Sequence, residues 1–400
     1  MDNPRTFEML PQDRVVHGTG SVALLGEQLD QLGVERALIV TGTTLATETD
    51  LVDRLRDHLG PRCAGVFSGT VQHVPARAVF GAADAARACD ADGIVSFGGG
   101  TPIDTAKGAI LVLAEDVRTE GDLAEHRVQY RYGGPMHVPP VAVERVLPHV
   151  AVPTTISGGE YSHGFTVKDE STGTKHVFLG GCFVPDVVIL DPAVTLATPE
   201  SLWLSTGVRS VDHAVESYLS RFHHPLTDAL AKPALESLLR NLPRCKRSPD
   251  DLDVRHELQL ASWLSIFQVI PNVRFGLSHA LGHQIGGRFD IPHGVTSCIL
   301  LPHVLAFNAT VNADRQAELA RAVGVAAPDA DPKEGADALQ QAVRDLVTEL
   351  GLPSRIRDFG VDRADLAPVA TVVMGDLIVE TNPRCIESEA EVLEILELAW

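Results

Sequence analysis

The stretch from Gly276 to Asn308 concentrates the histidines of this chain. It reads GLSHALGHQIGGRFDIPHGVTSCILLPHVLAFN and holds four of the 16 histidines, His279, His283, His293 and His303, among apolar residues. Imidazole is the usual protein ligand for divalent transition metals and the usual group for proton transfer near neutral pH. Because burying several imidazoles is costly, the cluster favours a chemical role over ordinary core histidines.

The spacing of these histidines indicates how they are presented. His279 and His283 are four residues apart in SHALGHQIGG, which predicts a helix with Ser278 as N-cap and an end at Gly286-Gly287. Both rings would then project from one face. His293 follows a proline in the turn-like IPHG, from which its ring can fold back toward that face.

A second pattern is GIVSFGGGTPIDTAKGAILVLA, which predicts a buried strand, a triple-glycine turn and a helix. Glycines let the backbone approach a ligand closely, and amides at a helix N-terminus favour a phosphate. The pattern is neither of the common phosphate motifs, so a turn that serves only packing stays open. Lys107, in the first turns of the helix, is expected either to reach a phosphate or a ribose or to be a solvated surface lysine.

Strand and helix patterns alternate through the first half of the chain. Short apolar runs predict strands at DRVVH, ERALIV, CAGVF, GIVSF, HVAVP and PDVVIL, with helical segments between several of them. Such alternation predicts βαβ units around a parallel sheet. After HVAVP we expect a hydroxyl-rich loop and a β-hairpin with its turn at Ser171 to Gly173. The charged segment from Glu115 to His149 is expected to be a long excursion that covers the site.

From Thr195 onward the segments are long and helical. The expected fold class is therefore α/β, a Rossmann-like parallel-sheet domain over residues 1–195 followed by an all-α helical domain over residues 196–400, with a cleft between them. Thr154 and Thr155 end the HVAVP strand, where they can donate hydrogen bonds to a cofactor.

The composition limits the partners of the chain. A formal charge of -20 over 400 residues argues against a nucleic acid or an anionic membrane. Six cysteines without a CxxC pair predict reduced thiols and a cytoplasmic location. No apolar run approaches the roughly 20 residues of a membrane span, and MDNPRTFEML lacks the features of a signal peptide.

The chain resembles the iron-containing (group III) alcohol dehydrogenase family, including its maleylacetate reductase branch, from about Val15 to the C-terminus. The likeness lies in GGGTPIDTAKG, PTTISGGE, DHAVESYLS and GLSHALGHQIGGRFDIPHGV, in this order and at these separations. It implies a dinucleotide-binding domain, a helical domain as in the related dehydroquinate synthase architecture, and a homodimer. The implied reaction is NAD(P)-dependent hydride transfer between an alcohol and a carbonyl in the cleft.

The resemblance also assigns cofactor residues. By motif position they are Gly98, Gly99, Gly100 and Asp104 for the pyrophosphate and ribose, and Thr154, Thr155, Ser162 and Lys175 along the cofactor path. Gly42 stands where NAD-preferring relatives often carry an aspartate for the ribose hydroxyls. Without that carboxylate a 2′-phosphate is not repelled, so both NAD and NADP are compatible with the sequence.

In that family an aspartate and three histidines bind the metal, and the aspartate precedes the first histidine by four residues. The histidine counterparts here are His213, His279 and His293, while His283 matches a histidine beside the nicotinamide. Arg209 occupies the aspartate position, and a guanidinium stays protonated and cannot ligate. The neighbouring acid, Asp212, points about 100° away from His213 around a helix, so it is not expected to substitute.

Two accounts of the site follow from this departure. In the first, the three histidines hold an iron or zinc ion with Arg209 turned aside, and a substrate oxygen completes the coordination sphere. In the second, the site is metal-free, as resemblance to the maleylacetate reductases implies, since an asparagine stands at that position in them. Arg209 then binds a substrate carboxylate or polarises the carbonyl oxygen, and His283 passes the proton.

The leading hypothesis is therefore an NAD(P)-dependent oxidoreductase acting on a small alcohol, ketone or aldehyde, including one that carries a carboxylate. One rival is a metal-dependent lyase or synthase resembling dehydroquinate synthase, which uses NAD transiently. Another is a binding protein that keeps the fold and has lost catalysis. A net requirement for NAD(P)H separates the leading hypothesis from the first rival, and turnover separates it from the second.

Overall fold

The computed structural model describes residues 6–130, 134–170, 175–376 and 378–400. Within these ranges the main sheet has six strands, all parallel, in the order β1-β8-β5-β4-β2-β3, and β6 and β7 form a separate antiparallel hairpin. The strands are β1 Arg14–His17, β2 Ala37–Gly42, β3 Cys63–Thr70, β4 Gly93–Gly98, β5 His149–Pro153, β6 Gly164–Lys168, β7 Lys175–Leu179 and β8 Val187–Leu190.

The helices fall into two groups. Those that accompany the sheet are α1 Leu25–Leu32, α2 Thr43–Glu48, α3 Leu51–Leu59, α4 Ala76–Ala88, α5 Gly100–Ala114 and α6 Glu120–Glu125. Those that follow it are α7 Glu200–Leu219, α8 Pro225–Arg247, α9 Leu252–Ile266, α10 Val269–Asn272, α11 Leu277–Phe289, α12 His293–Ala322, α13 Pro332–Leu350, α14 Leu366–Val373 and α15 Glu389–Ala399. The expected fold class, a parallel sheet followed by a helical part, is confirmed. The domain boundary near residue 195 stays a prediction.

The central strands are buried on both faces because helices cover the sheet from both sides. Every residue of β4 and β5 is buried. Alternate residues of β2 and β4 point to opposite layers, as strand geometry requires. Leu38 and Ile94 pack with α4 and α5, whereas Ile39 and Val95 pack with α1 and α3.

The order of the strands creates a crevice at one edge of the sheet. From β2 the chain moves outward to β3, while from β4 it crosses α5 and reaches β5 on the other side. The carboxyl ends of β2 and β4 therefore flank a topological switch point, the usual place for a ligand in such folds. Gly42, Gly98 and Pro153 end β2, β4 and β5 at this edge.

The excursion from Glu115 to His149 differs from its expected role. Its described residues form α6, and Val128 donates a backbone hydrogen bond to Val177 of β7. Leu123 packs with α4 and α5 in the core on that side of the sheet. These contacts attach the excursion to the sheet and hairpin, so the expectation that it covers the histidines finds no support in them. The predicted hairpin is confirmed, and its expected turn lies outside the described residues.

Helix α12 bears on the expectation that the chain has no membrane-spanning segment. It is the one described helix long and apolar enough to cross a membrane, yet 67% of its most apolar window is buried inside the protein. Its regular geometry is interrupted at Asn312. Burial of this extent is typical of a core helix, and α12 packs against α7 and α13.

His149, the first residue of β5, makes stability depend on pH. Its Nε2 lies 2.8 Å from Ser96 Oγ, and burial lowers the pKa of this histidine to about 3. Between pH 6.5 and about 3 the unfolded chain binds a proton that the folded protein excludes, so the free energy of unfolding falls as pH falls. We expect His149→Gln to reduce this slope, by at most about 1.4 kcal/mol per pH unit.

Urea unfolding of the wild type and the variant across that pH range measures the two slopes. His58→Gln changes an exposed histidine of α3 and serves as the matched control. Equal slopes in wild type and His149→Gln would contradict the assignment.

Candidate active site

Helix α7 presents one face of polar residues to the interior of the helical part. Arg209, Asp212, His213 and Glu216 stand at helical spacing on this face, and all four are buried. Ionisable side chains are rarely buried unless they are paired, so this face is either a structural network or a functional site. The partners come from α11 and α12.

The start of α11 differs from the prediction. The helix begins at Leu277, runs through both glycines at 286 and 287, and ends at Phe289, where Asp290 adopts φ 57°. Gly276 is the N-cap rather than Ser278, which lies in the first turn and donates its Oγ–H to Asp212 Oδ2 at 2.8 Å. The free amides of this helix terminus find another acceptor.

That acceptor is Glu216 of α7, a residue that sequence reasoning did not single out. Its carboxylate accepts hydrogen bonds from the backbone N–H groups of Gly276 at 2.9 Å and Ser278 at 2.8 Å. Helix N-termini require such acceptors for their unpaired amides. Burial and the neighbouring Asp212 carboxylate raise the pKa of Glu216 to about 8, while the amide donors favour its charged form. The quoted DHAVESYLS motif contained this glutamate, but a cap from another helix leaves no local signal.

Glu216 also orients His279. Its Oε2 lies 2.7 Å from His279 Nδ1 and fixes the orientation of the ring. When the glutamate is ionised, the ring proton is on Nδ1 and a lone pair is left on Nε2. This Nε2 is buried without a hydrogen-bond partner among the described residues. His213, whose ring centroid lies 5.1 Å away, likewise has an unpartnered Nδ1. Burial first, and then the Arg209 charge, hold the pKa of both histidines well below the usual value, so both are neutral.

Arg209 lies inside this cluster and is only 8% exposed, so neither a surface position nor a guanidinium turned aside is observed. Its NH1 donates to Ser297 Oγ at 3.1 Å and lies 3.7 Å from Asp212 Oδ2. Ser297 in turn donates to the same carboxylate oxygen at 2.7 Å. The serine therefore links the two charges of a buried ion pair.

Asp212 was not expected to replace the missing acidic ligand. Its carboxylate nevertheless approaches His279 Nδ1 at 3.6 Å, and together with Glu216 these groups form a candidate cation-binding cluster. Three oxygen atoms of the cluster already have partners, because both oxygens of the glutamate accept helix amides and Asp212 Oδ2 accepts two serine hydroxyls. Asp212 Oδ1 and His279 Nε2 are the atoms of this cluster that have no hydrogen-bond partner among the described residues.

His293, the third histidine of the expected metal set, is held by a lysine. It begins α12, and its Nε2 lies 2.9 Å from Lys175 Nζ on β7. The same Nζ lies 2.9 Å from Nδ1 of His73, a residue after β3 that sequence reasoning missed. Its position after a strand's carboxyl end, in VQHVP, was the available signal. His73 Nε2 contacts Asp290 Oδ1 at 2.9 Å, which joins the sheet part to the end of α11.

These contacts test whether the expected metal position suits a divalent cation. Arg209 replaces the acidic ligand, and the Lys175 ammonium uses the Nε2 of His293. A divalent ion among His213, His279 and His293 would lie beside two cationic side chains, one of them buried. The donor set as arranged does not fit such an ion.

The remaining histidines of the cluster differ in position. His283, one turn after His279 on α11, is partly exposed, and its ring lies 5.9 Å from that of His293. Its Nδ1 lies 3.8 Å from Asp376. His303 makes none of the ring contacts that join the other imidazoles among the described residues. Burial and the charges of Arg344 and Arg355 lower its pKa to about 4. Three of the four clustered histidines are therefore brought together.

The triple-glycine turn lies beside the end of β5. Gly98 adopts φ 138°, and a Cβ on Gly99 would lie 3.1 Å from Thr155 Cγ2. Thr154 donates its backbone N–H to Gly98 O at 2.9 Å. The turn is thus fixed against the threonine pair, and the amides at the start of α5 face the crevice edge. Gly42 lies at the same edge, but an added Cβ there would make only ordinary contact, with Thr70 Oγ1 at 3.6 Å.

Two residues near this turn have structural partners. Both readings of Lys107 were wrong, because it is fully buried and its Nζ donates to the carbonyl oxygens of Gly159 and Ser162 at 2.7 Å. Burial lowers the pKa of this lysine to about 8. Ser162 Oγ donates to Gly164 O at 3.0 Å, so its hydroxyl shapes the loop. Asp104 is partly buried in the same region, and burial raises its pKa to about 6.

Comparison with known proteins gives the family. Residues 11–192 match the model of the iron-containing alcohol dehydrogenases, and residues 203–400 match that of the Fe-containing alcohol dehydrogenase family, C-terminal. The chain is 32% identical to 1,3-propanediol dehydrogenase of Citrobacter freundii, with 99% of each chain covered. It is 30% identical to maleylacetate reductase of Pseudomonas aeruginosa, over 94% of this chain and 93% of that one. A crystal structure of a 1,3-propanediol oxidoreductase superposes with a TM-score of 0.88 at 29% identity, covering 99% of this chain and 100% of the other.

These relatives are named dehydrogenases and reductases. The names support the oxidoreductase hypothesis and give no support to the lyase hypothesis. The glycine turn, the threonine pair and the imidazole cluster occur in the order that the resemblance implied. By sequence and by fold, the chain belongs to the iron-containing alcohol dehydrogenase family.

Proposed function

We propose that this NAD(P)-dependent oxidoreductase reduces the aldehyde or ketone group of a small substrate that carries a carboxylate, in a site where Arg209 stands in place of the family's metal. The observation that carries the proposal is the buried guanidinium of Arg209 among the neutral imidazoles of His213 and His279. The same active site would also run the reverse oxidation.

The residues at the crevice fit a dinucleotide. Gly98, Gly99 and Gly100 would hold its pyrophosphate against the start of α5, and Thr154 and Thr155 would line its path. Asp104 and Ser162 lie along the same path in this proposal. The bound nicotinamide supplies or accepts the hydride. Gly42 leaves the ribose position without a carboxylate, which supports the use of both NAD and NADP.

Arg209 would stabilise the negative charge that develops on the carbonyl oxygen. A guanidinium has five N–H donors, and Ser297 takes one of them in the hydrogen bonds of the described residues. Asp212 and Ser297 fix the guanidinium, so it would not have to reorganise during the reaction. The buried surroundings strengthen its electrostatic effect.

His283 would deliver the proton to that oxygen. It is more exposed than the other imidazoles of the cluster, and it faces His293 at 5.9 Å between ring centroids. A proton donor needs both contact with the substrate and exchange with solvent, and a partly exposed ring meets the second requirement.

A carboxylate on the substrate fits the charge of the site. Arg209 and Lys175 are cationic, while burial keeps His213 and His293 neutral. The relative from Pseudomonas aeruginosa is named for maleylacetate, a carbonyl compound with carboxylate groups. A small neutral alcohol, as in the name of the Citrobacter freundii relative, is the alternative substrate class.

The setting of the enzyme follows from the same proposal. We infer two domains, residues 1–195 for the cofactor and residues 196–400 for the substrate site, and a homodimer in the cytoplasm. The change from strands ending at Leu190 to helices starting at Glu200 supports this division. Six cysteines without a disulfide support a reducing compartment.

Reduction by the metal-free site should survive removal of divalent ions. We expect 4-oxobutanoate to cause loss of reduced-nicotinamide absorbance with NADH or NADPH, and dialysis against EDTA to leave the rate unchanged. Loss of activity that Fe²⁺ or Zn²⁺ restores would instead support a metal held by His213, His279 and His293. No turnover of any carbonyl, with nucleotide binding retained, would support the inactive binding protein.

Replacement of Arg209 tests its catalytic role. We expect Arg209→Met to lower kcat about 10²- to 10³-fold, the usual effect of losing one oxyanion donor, with the nucleotide KM unchanged. Arg240→Met, at an exposed arginine of α8, is the matched control for loss of one positive charge. Steady-state kinetics of a variant that unfolds like the wild type provides the measurement. An unchanged kcat would remove Arg209 from the mechanism.

A further inference from the structure

We propose that His17 and His256 form a binding site for one divalent transition-metal ion, with Zn²⁺ as the best match. His17 is the last residue of β1, and His256 lies in α9. The ion would therefore join the sheet part of the molecule to the helical part. Neither histidine belongs to the imidazole cluster of the active site, and the proposed reaction uses neither of them.

The first argument is the distance between the two rings. His17 Nδ1 lies 3.0 Å from His256 Nε2, and the ring planes are inclined by 26°. Zn²⁺ binds imidazole nitrogens at about 2.0 to 2.1 Å, so two such nitrogens of a tetrahedral site lie about 3.3 Å apart. The rings would have to separate by only about 0.3 Å and turn until both lone pairs meet at the ion.

The second argument is protonation. A metal ligand must offer a lone pair, whereas in the present contact one of the two facing nitrogens carries a proton and donates it to the other. A neutral imidazole can carry its proton on either ring nitrogen, so on metal binding this proton moves through solvent to the outer nitrogen of the same ring. Burial, and then the charge of His17, lower the pKa of His256, which favours its neutral form near neutral pH.

The third argument is the packing beneath the two histidines. Val15, two residues before His17, and Leu260, one turn after His256, pack against one apolar cluster. Residues two apart in a strand share a face, and so do residues four apart in a helix. The core therefore holds β1 and α9 side by side, and the two ligands need little rearrangement before the ion binds.

The fourth argument is charge. Asp191, Asp253 and Glu257 are close enough to His256 for each carboxylate to favour its charged form. The same carboxylates attract a cation. Asp253 is exposed and precedes His256 by three residues in α9, where such side chains are neighbours, so it is the third ligand of the proposed site, with water as the fourth. Imidazole and carboxylate together suit Zn²⁺ better than Mg²⁺ or Ca²⁺.

The site lies apart from the proposed dinucleotide position. Strands β1 and β4 are three strand spacings apart in the sheet, about 14 Å. In the ring contacts of the described residues, His17 and His256 contact each other, and the histidines of the active site form a separate set. Metal binding at the pair can therefore be measured without turnover, so failure of the proposed function would not affect the result.

Calorimetric titration with Zn²⁺ tests the inference on protein that has been dialysed against EDTA and then freed of the chelator. We expect one site in the wild type. We expect a Kd at least about 10-fold higher in His17→Gln and in His256→Gln, because each variant loses one of the two imidazole ligands. His58→Gln, at an exposed histidine of α3, is the matched control and should bind like the wild type.

Two further measurements identify the ligands. Electron paramagnetic resonance of bound Cu²⁺ should show two imidazole nitrogens in the wild type and in His58→Gln, but not in His17→Gln or His256→Gln. Saturating Zn²⁺ should raise the Tm of the wild type and of His58→Gln by about 3 °C and leave the Tm of the other two variants unchanged.

Two results would overturn the inference. One is the absence of Zn²⁺ binding by the wild type. The other is an equal Kd in all four proteins, which would place the ion elsewhere, for example in the imidazole cluster of the active site. Metal-free unfolding curves that match the wild type show that a variant is folded, and either histidine variant alone is sufficient for the test if the other fails to fold.

Discussion

The buried ion pair between Arg209 and Asp212 is the constraint on which the rest of the site depends. A buried guanidinium is tolerated when a nearby carboxylate offsets its charge and hydrogen bonds hold both groups. Here both members come from one turn of α7, and Ser297 of α12 bridges them. Helices α7 and α12, which carry His213 and His293, are therefore held in a fixed position relative to the charge of Arg209.

The arginine of this pair also contributes to the protonation state of the neighbouring histidines. Burial first, and then the positive charge of Arg209, keep His213 and His279 neutral, so both rings offer a nitrogen lone pair rather than charge. Glu216 adds to this arrangement by capping α11 and fixing the His279 ring through Nδ1. One glutamate thus sets the position of a helix and the orientation of a ring. If an aspartate stood in place of Arg209, the imidazoles of His213 and His279 would lie beside a carboxylate, and the site would suit a cation.

The link between the two halves of the molecule has a similar electrostatic character. Lys175 on the hairpin contacts His293 of α12, and His73 after β3 contacts Asp290 at the end of α11. Both contacts cross from the sheet part to the helical part beside the imidazole cluster. The edge of the sheet that carries the glycine turn and the helices that carry the substrate residues are therefore joined by charged and imidazole groups.

The amino-acid sequence predicts the parallel sheet, the hairpin, the glycine turn and the family, because these follow from local periodicity and from motifs that are continuous in the chain. It also identified Arg209, since one residue in a known spacing carries that information. Only the tertiary structure shows which buried polar groups are hydrogen-bond partners of each other. Glu216 accepts a hydrogen bond from the N-cap of a helix 60 residues later in the chain. Lys107 donates to carbonyl groups of a loop, and His73 contacts Lys175, 102 residues away along the chain. Such partners are chosen by burial, which requires every polar group to find a neighbour in space, and no spacing along the chain encodes that choice.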